Sequence, residues 1–341
     1  MDFVRKVQMK KQQFYTYEAA TILAGFELPS DVNIIDPFAG DGQLLNWIGR
    51  GIGYDIDPKR PDIIQRDTLL NPPDYTHTWI LTNPPYLARN KSAYKALFDT
   101  YNTNDLYKCF IHSCMGANTC LGGIFILPAG FFLSPRDIDV RCRNAFMTQY
   151  QIQHVNYFEE PVFKDTPSAI VAILFIRSDI GLTEQNVSWT RFPANETTTF
   201  CMKQDVDWII GGEIYKLRSD TIQVKRYIQG GDMTGITHMT LNALDGRTST
   251  IALNFKKGYV YPAKDCSRTF ATIRILGEEL TDSEQEDLCR RFNAFLNEKR
   301  QATWSLCFPH YREYARKRIP FDLAYSIIRY LFATRENNQR L

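Results

Sequence analysis

The stretch Ile34-Ile35-Asp36-Pro37-Phe38-Ala39-Gly40-Asp41-Gly42 gives the clearest indication of the fold. A short apolar run leads to an acidic residue, and a small turn that contains two glycines follows. Gly40 and Gly42 allow the backbone to approach a ligand more closely than residues with a side chain would. A strand that ends at an acid, followed by a glycine turn into a helix, is typical of α/β folds that bind nucleotides.

Apolar runs of similar length recur along residues 32–176 and predict further strands. Runs without polar alternation suit strands that helices cover on both faces, as in a parallel sheet. The last two runs are joined by Glu159–Ser168, which is too short for a crossover helix, so they must pair antiparallel. We therefore predict an α/β fold with a Rossmann-like sheet, mostly parallel, that ends in an antiparallel hairpin. The predicted strands are Val32–Asp36, Gly51–Ile56, Ile63–Asp67, Trp79–Asn83, Gly123–Leu127, Ile152–Phe158 and Ala169–Ile176.

The pattern changes in residues 178–280, which are richer in Thr, Gly and isolated charges. Thr281-Asp282-Ser283-Glu284 then matches a capping box and predicts the start of a helix. A second helix is predicted over roughly Asp322–Phe332. These features predict two domains, a larger one over residues 1–189 and a smaller α+β domain over residues 190–341.

Composition and charge limit the class of protein. Apolar residues make up 44% and charged residues 23%, which is ordinary for a globular chain. Residues 200–341 carry 22 Lys and Arg against 17 Asp and Glu, although the whole chain has a net charge of only +2. A basic C-terminal part on a slightly acidic N-terminal part is what a nucleic-acid reader on a catalytic body would show.

The eight cysteines form no Cys-x-x-Cys pair and lack a histidine cluster at ligand spacing. We therefore expect reduced, mostly buried thiols and no bound metal. Secretory signals and membrane-spanning segments are not indicated, because the longest apolar stretches are short and contain Pro or Gly. The expected location is the cytoplasm, or the host-cell interior if the chain is viral.

Two more acids fall at the ends of predicted strands. Asp55, in Gly53-Tyr54-Asp55-Ile56-Asp57-Pro58, follows the second strand, and a carboxylate there can accept both hydroxyls of a ribose. Asp67 ends the third strand, where a carboxylate suits the exocyclic amine of an adenine. Together with Asp36, these acids predict a nucleoside pocket along the carboxyl edge of the sheet.

Thr82-Asn83-Pro84-Pro85-Tyr86, at the end of the fourth strand, indicates the chemistry. The exocyclic amine of adenine is a poor nucleophile because its lone pair is delocalised into the ring. The Asn83 side-chain oxygen and the Pro84 carbonyl can each accept one of its hydrogens, and the prolines fix the backbone so that both acceptors converge. Tyr86 offers a face on which an extrahelical base can stack. Such a neutral site would act by orientation and fixed dipoles rather than by base catalysis.

The order of these motifs resembles that of the gamma-type N6-adenine DNA methyltransferases of restriction–modification systems, over nearly the whole chain. The resemblance implies that S-adenosyl-L-methionine donates a methyl group to N6 of a flipped-out adenine in a specific double-stranded DNA sequence. A cognate restriction endonuclease would be the functional partner. Pro161-Val162-Phe163 matches the loop whose aromatic sandwiches the target base with Tyr86. The implied catalytic residues are Asn83, Pro84, Tyr86 and Phe163.

The resemblance also implies which residues bind the cofactor. Gln13-Phe14-Tyr15-Thr16-Tyr17-Glu18 is similar to the N-terminal cofactor motif of the family, with Tyr17 where the family usually has Pro. Thr16 would then contact the methionine end of the cofactor. Leu106–Phe110 resembles the segment whose Phe packs on the cofactor adenine. The implied cofactor-binding residues are Thr16, Asp36, Phe38, Ala39, Gly40, Asp55, Ile56, Asp67, Asn83 and Phe110.

Base flipping requires that the rest of the duplex is held, mostly through its phosphates. Basic clusters in the C-terminal part are the candidates for this contact. They are Lys225, Arg226, Lys256, Lys257, Arg316, Lys317 and Arg318.

Other functions remain open at this stage. The Asn-Pro-Pro-Tyr motif also occurs in methyltransferases that act on RNA adenines or on release-factor glutamines, because all three substrates present a planar, conjugated amine. A catalytically inactive nucleic-acid-binding module is a further alternative. The DNA recognition sequence, the residues that read bases and the oligomeric state do not follow from the sequence.

Overall fold

The structure is a computed structural model that describes residues 18–163, 168–178, 180–246, 249–310 and 316–335. The described residues form two compact units, one ending at Trp208 and the other beginning at Ile209. Within these ranges, every helix is too short or too polar to cross a membrane.

Nine strands are described in the first unit, and they form one sheet. They are β1 (Asn33–Asp36), β2 (Ile52–Asp55), β3 (Ile64–Gln65), β4 (Thr78–Thr82), β5 (Gly122–Pro128), β6 (Tyr150–Phe158), β7 (Ile170–Arg177), β8 (Glu184–Phe192) and β9 (Glu196–Lys203). The order across the sheet is β3-β2-β1-β4-β5-β7-β6-β8-β9.

The pairing confirms the predicted fold class. Strands β3, β2, β1, β4 and β5 are mutually parallel neighbours, whereas β7 runs antiparallel to both β5 and β6. All seven predicted strands are present, with ends shifted by up to two residues. The central strands are predictable from hydrophobicity because both of their faces are covered: Ile80, Leu81 and Phe125 have no exposed surface.

The helices of the first unit are short, and most of them connect consecutive strands. They are α1 (Ala19–Ile22), α2 (Gln43–Ile48), α3 (Ala96–Thr100), α4 (Leu106–Ser113), α5 (Gly130–Leu133) and α6 (Asp137–Gln149). Further 3-10 turns occur in both units, at Arg89–Lys91, Gly116–Asn118, Gln204–Val206 and Gly212–Lys216.

Strands β8 and β9 extend the sheet beyond the predicted hairpin. Strand β8 pairs parallel with β6, and β9 pairs antiparallel with β8 at the edge. Val187 and Trp189 alternate with more polar positions along β8, and neither has exposed surface. The predicted domain boundary at 189/190 falls inside β8, and both strands belong to the unit that ends at Trp208.

The second unit contains a four-stranded antiparallel sheet and two long helices among its described residues. The strands are β10 (Gln223–Arg226), β11 (Ile236–Asn242), β12 (Ala252–Phe255) and β13 (Phe270–Leu276), in the order β10-β13-β11-β12. The helices are α7 (Asp282–Ala302) and α8 (Phe321–Ala333).

The capping box that begins α7 is confirmed. The Glu284 amide donates to the Thr281 hydroxyl oxygen, and the Glu284 carboxylate accepts from the Thr281 amide at 2.8 Å. Behind this cap, Phe292 and Leu296 of α7 share one apolar core with Ile327 and Ile328 of α8 and with one face of the sheet. Helix α7 therefore depends on both its local cap and its packing.

Candidate functional site

The site is built around Asp36, the last residue of β1. Its Oδ1 atom accepts hydrogen bonds from the Phe38 amide at 3.0 Å and the Thr82 hydroxyl at 2.7 Å. Among the described residues, no group donates to Oδ2. The side chain is 1% exposed, and burial, partly offset by these hydrogen bonds, raises the pKa of Asp36 to about 7. A buried carboxylate whose second oxygen accepts no hydrogen bond from the described residues is suited to a cationic ligand.

The glycine turn is held by Asp55 at the end of β2. The Gly40 amide donates to Asp55 Oδ2 at 2.9 Å, and the Asp57 amide donates to Asp55 Oδ1 at 2.7 Å. Gly40 and Gly42 have φ angles of +56° and +81°, a region that glycine adopts without strain. Each Asp55 oxygen accepts a backbone hydrogen bond, and a carboxylate oxygen can accept more than one, as an acceptor of ribose hydroxyls must.

Asp67 lies just after β3 and is also buried. Its Oδ1 atom accepts from the Leu69 and Leu70 amides at 3.2 and 3.1 Å. The neighbouring Thr68 hydroxyl donates to the Pro37 carbonyl at 2.9 Å, which joins this loop to the glycine turn. Because β1, β2 and β3 are parallel, the three acids lie at the same edge of the sheet.

Asn83 begins the loop after β4 and lies next to Tyr86. The Tyr86 hydroxyl is 2.7 Å from both Asn83 Oδ1 and the Ile126 carbonyl oxygen. It carries one proton, so it donates to one of them at a time. Pro84 and Pro85 are buried. Burial also raises the pKa of Tyr86, so the phenol stays protonated at neutral pH.

The segment before α4 holds the other end of this loop. Asp105 Oδ1 accepts from the Leu87 amide at 3.1 Å, and the Leu106 amide donates to the Leu87 carbonyl at 3.2 Å. An antiparallel bridge between Ala88 and Asp105 adds to these bonds. The Tyr107 ring packs edge-on against Tyr86, with 6.2 Å between centroids. Burial raises the pKa of Asp105 to about 6.

Phe110 and Phe163, two of the four aromatic residues of the predicted site, are both buried. Phe110 has no exposed surface and packs edge-on against Phe38, with 5.2 Å between ring centroids. Phe163 is 5% exposed and belongs to an apolar cluster against which Tyr86 also packs. Of the remaining predicted cofactor residues, Ala39 and Ile56 are buried near the glycine turn. Thr16 and the motif around it lie outside the described residues.

The predicted DNA-binding cations have different surroundings. Lys225, Lys256 and Lys257 are exposed. The Arg226 guanidinium donates to the backbone carbonyls of Ser267 and Asp265, and the Arg316 guanidinium to that of Asp245; Arg318 is half-buried. Lys317 is only 5% exposed, and its ammonium lies 2.6 Å from His310 Nε2.

Thr82 and Asp105 are two functional candidates that sequence reasoning missed. Thr82, the residue before Asn83, donates to the acid of β1, and its position as the last residue of β4 was the available signal. Asp105 precedes a helix, which by itself predicts only an N-cap. Its bond to Leu87 joins segments distant in sequence, so no local pattern indicates it.

Comparisons with known proteins give similarity at the level of three-dimensional structure only. No family model matches the chain, and no curated protein matches it in sequence. A chain of a type I restriction–modification system is 15% identical, with a TM-score of 0.43, over 56% of this chain and 47% of that chain. The methyltransferase subunit of such a system from Streptococcus thermophilus is 17% identical, with a TM-score of 0.37, over 52% and 47%.

A third similar structure is the M protein of the type I restriction enzyme EcoKI. It is 12% identical, with a TM-score of 0.40, over 89% of this chain and 74% of that chain. The present chain spans about half the length of the first structures it resembles. The nine-stranded sheet itself is a mostly parallel α/β sheet that contains the antiparallel β6–β7 hairpin.

Proposed function

We propose that this protein transfers a methyl group from S-adenosyl-L-methionine to N6 of an adenine flipped out of a specific double-stranded DNA sequence. The enzyme class would be a site-specific adenine DNA methyltransferase, paired in function with a restriction endonuclease. The fold and the chemistry of the Asp36 and Asn83 loops support this proposal.

The observation that carries the proposal is the hydrogen bond from Thr82 to Asp36 at 2.7 Å. It joins the end of β1, where the acid and the glycine turn lie, to the end of β4, immediately before Asn83. The proposed pocket for a cationic nucleoside and the proposed acceptor for an amine would thereby be adjacent. Methyl transfer requires this adjacency, because donor and acceptor atoms must be held in line within van der Waals distance.

The residues present fit the cofactor chemically. Asp36 Oδ2 would accept from a cationic group, and Asp55 from ribose hydroxyls. Phe110 would pack on the adenine; because its ring has no exposed surface and lies edge-on against Phe38, this contact would require a local rearrangement. The bound cofactor would supply an electrophilic methyl group. Asp67 would complete the pocket as an acceptor for the exocyclic amine.

The Asn83 loop would orient the amine of the target base. Asn83 Oδ1 and the Pro84 carbonyl would each accept one N–H hydrogen, which favours a pyramidal nitrogen with its lone pair directed at the methyl group. Tyr86 and Phe163 would contact the faces of the base. Both lie against one apolar cluster, so exposure of the Phe163 ring to a base would require a local rearrangement of its loop.

The test is methylation of unmethylated double-stranded DNA, read as N6-methyldeoxyadenosine by mass spectrometry of the digested product. The wild type should form the modified nucleoside and Asn83→Ala should lose it. Asn90→Ala is the matched control, since Asn90 is an exposed asparagine of the same loop. Its product yield should equal that of the wild type.

Sequencing of the methylated sites would then give the recognition sequence. Absence of the modified nucleoside, with the cofactor bound, would reject the DNA substrate. RNA and release-factor protein would be tested next, in that order. Absence of cofactor binding would reject methyl transfer altogether.

A further inference from the structure

The two faces of the sheet in the second unit differ in what covers them. Val224, Ile273 and Leu253 point to one face and share a core with α7 and α8. Side chains alternate along a strand, so Thr272 and Lys225, next to Ile273 and Val224 respectively, point to the opposite face. Both long helices described in this unit, α7 and α8, pack against the first face.

The connection from β12 to β13, residues 256–269, crosses this second face. The Tyr261 amide donates to the Thr272 hydroxyl oxygen at 2.7 Å, and Thr272 has no exposed surface. The Gln229 amide donates to the Ala263 carbonyl at 2.9 Å, and the Tyr261 ring packs edge-on against Phe270 at 4.7 Å. These bonds hold the connection against the sheet, and its charged side chains are left at the surface.

The cations of this region fall into two groups. Arg226, Lys257 and Arg274 each form an ion pair, with Asp265, Asp282 and Asp232 respectively. The second group is exposed and has no carboxylate within ion-pair distance among the described residues. Its members, which we call the basic patch, are Lys225, Lys256, Lys264 and Arg268. Three belong to the connection, and Lys225 lies on the strand face that the connection crosses.

We propose that the basic patch binds phosphates of duplex DNA, an inference that rests on the proposed function. Lys256 lies over the Tyr259 ring at 5.0 Å, but none of the four cations has a carboxylate partner among the described residues. Such cations attract a polyanion, and each phosphate contact releases condensed counterions. Lys264 and Arg268 were not among the cations predicted from sequence. Arg226 and Lys317 were among the predicted cations, but their charged groups contact protein atoms.

The experiment measures binding of a fluorescein-labelled random-sequence duplex by anisotropy, between 50 and 300 mM NaCl. The observable is the slope of the logarithm of the association constant against the logarithm of salt concentration. Each lost phosphate contact changes that slope by about 0.9. We expect Lys264→Ala/Arg268→Ala to reduce the magnitude of the slope by about 1.8, and the quadruple alanine variant to reduce it by about 3.6.

Arg290→Ala is the matched control. Arg290 is an exposed cation on α7, the helix that covers the other face, and it pairs with Asp287. Its variant should keep the wild-type slope. A quadruple variant that keeps the wild-type slope and melting temperature would overturn the proposal, as would wild-type binding to an RNA duplex but not to DNA.

Methyl transfer by the wild type at saturating DNA separates this inference from the proposed function. If the wild type methylates adenine and the quadruple variant keeps its slope, only the basic patch is wrongly assigned. If the slope falls as expected and no methylated adenine forms, the DNA contact stands and the proposed activity fails.

Discussion

Asp36 should make cofactor binding depend on pH. Its pKa is raised to about 7 by burial, so at neutral pH about half of the molecules carry a protonated Asp36 before the cofactor binds. S-adenosyl-L-methionine is cationic and should bind to the ionised form. The ionised fraction falls from about 0.9 at pH 8 to about 0.1 at pH 6, which predicts a roughly tenfold loss of affinity, or about 1.4 kcal/mol.

Asp36→Asn is the informative variant, because the amide is nearly the same size and its oxygen can still accept from Phe38 and Thr82. It should bind the cofactor at least tenfold more weakly at pH 8, and with the same affinity at pH 6 and pH 8. Isothermal titration calorimetry at pH 6, 7 and 8 provides the measurement. Asp105→Asn is the control, since Asp105 also titrates in this window; it should retain the pH dependence of the wild type.

Two results would refute this reasoning. Wild-type affinity that is constant from pH 6 to pH 8 would mean that Asp36 is not the group whose ionisation binding requires. An Asp36→Asn variant with the same pH dependence as the wild type would assign that dependence to another group.

Three further predictions follow from the same structure. Asp105→Ala should lower kcat by about 10- to 100-fold with little change in cofactor affinity, because the Leu87 amide loses a buried acceptor worth about 1–3 kcal/mol. Asp105→Asn should keep most of the wild-type kcat, because its side-chain oxygen can still accept from that amide. Steady-state assays of both variants provide the measurement. Since the pKa of Asp36 is higher in the folded chain than the 3.8 of the unfolded chain, its contribution to stability declines as pH rises from about 4 to 7. Asp36→Asn should therefore raise the melting temperature at pH 8 and have much less effect at pH 4, by scanning calorimetry. Phe292→Ala should destabilise the second unit by about 3–5 kcal/mol in urea unfolding, since Phe292 has no exposed surface, and an unchanged midpoint would count against the described core.

The strands of the first unit could be predicted from the sequence because their physical signal is local. Buried parallel strands read as continuous apolar runs, and the 159–168 connection is too short for a helix. The placement of Asp36, Asp55 and Thr82 at one edge then follows from parallel pairing. Strands β8 and β9 were missed because Glu184–Phe192 and Glu196–Lys203 are rich in polar residues, which hid the alternation of Val187 and Trp189.

The details of the candidate site depend on contacts between distant segments, and sequence patterns carry little information on these. The bond between Asp105 and Leu87 forms only once α4 has packed beside the Asn83 loop. Whether a cation is available to a ligand also depends on its neighbours in space. Lys225 and Lys317 look alike in the sequence, yet one is exposed and the other lies buried against His310.

The shared proton of the Tyr86 hydroxyl has a consequence for the energetics of substrate entry. In the absence of a base, the hydroxyl can donate to Asn83 Oδ1, so that oxygen has a hydrogen bond from the protein in place of one from water. If an amine binds there, rotation about the phenolic C–O bond would transfer the donation to the Ile126 carbonyl, which is also at 2.7 Å. In the proposed function, the Tyr86 hydroxyl would thus exchange one hydrogen bond for another, and the loss of its donation to Asn83 would add little to the barrier for binding the base.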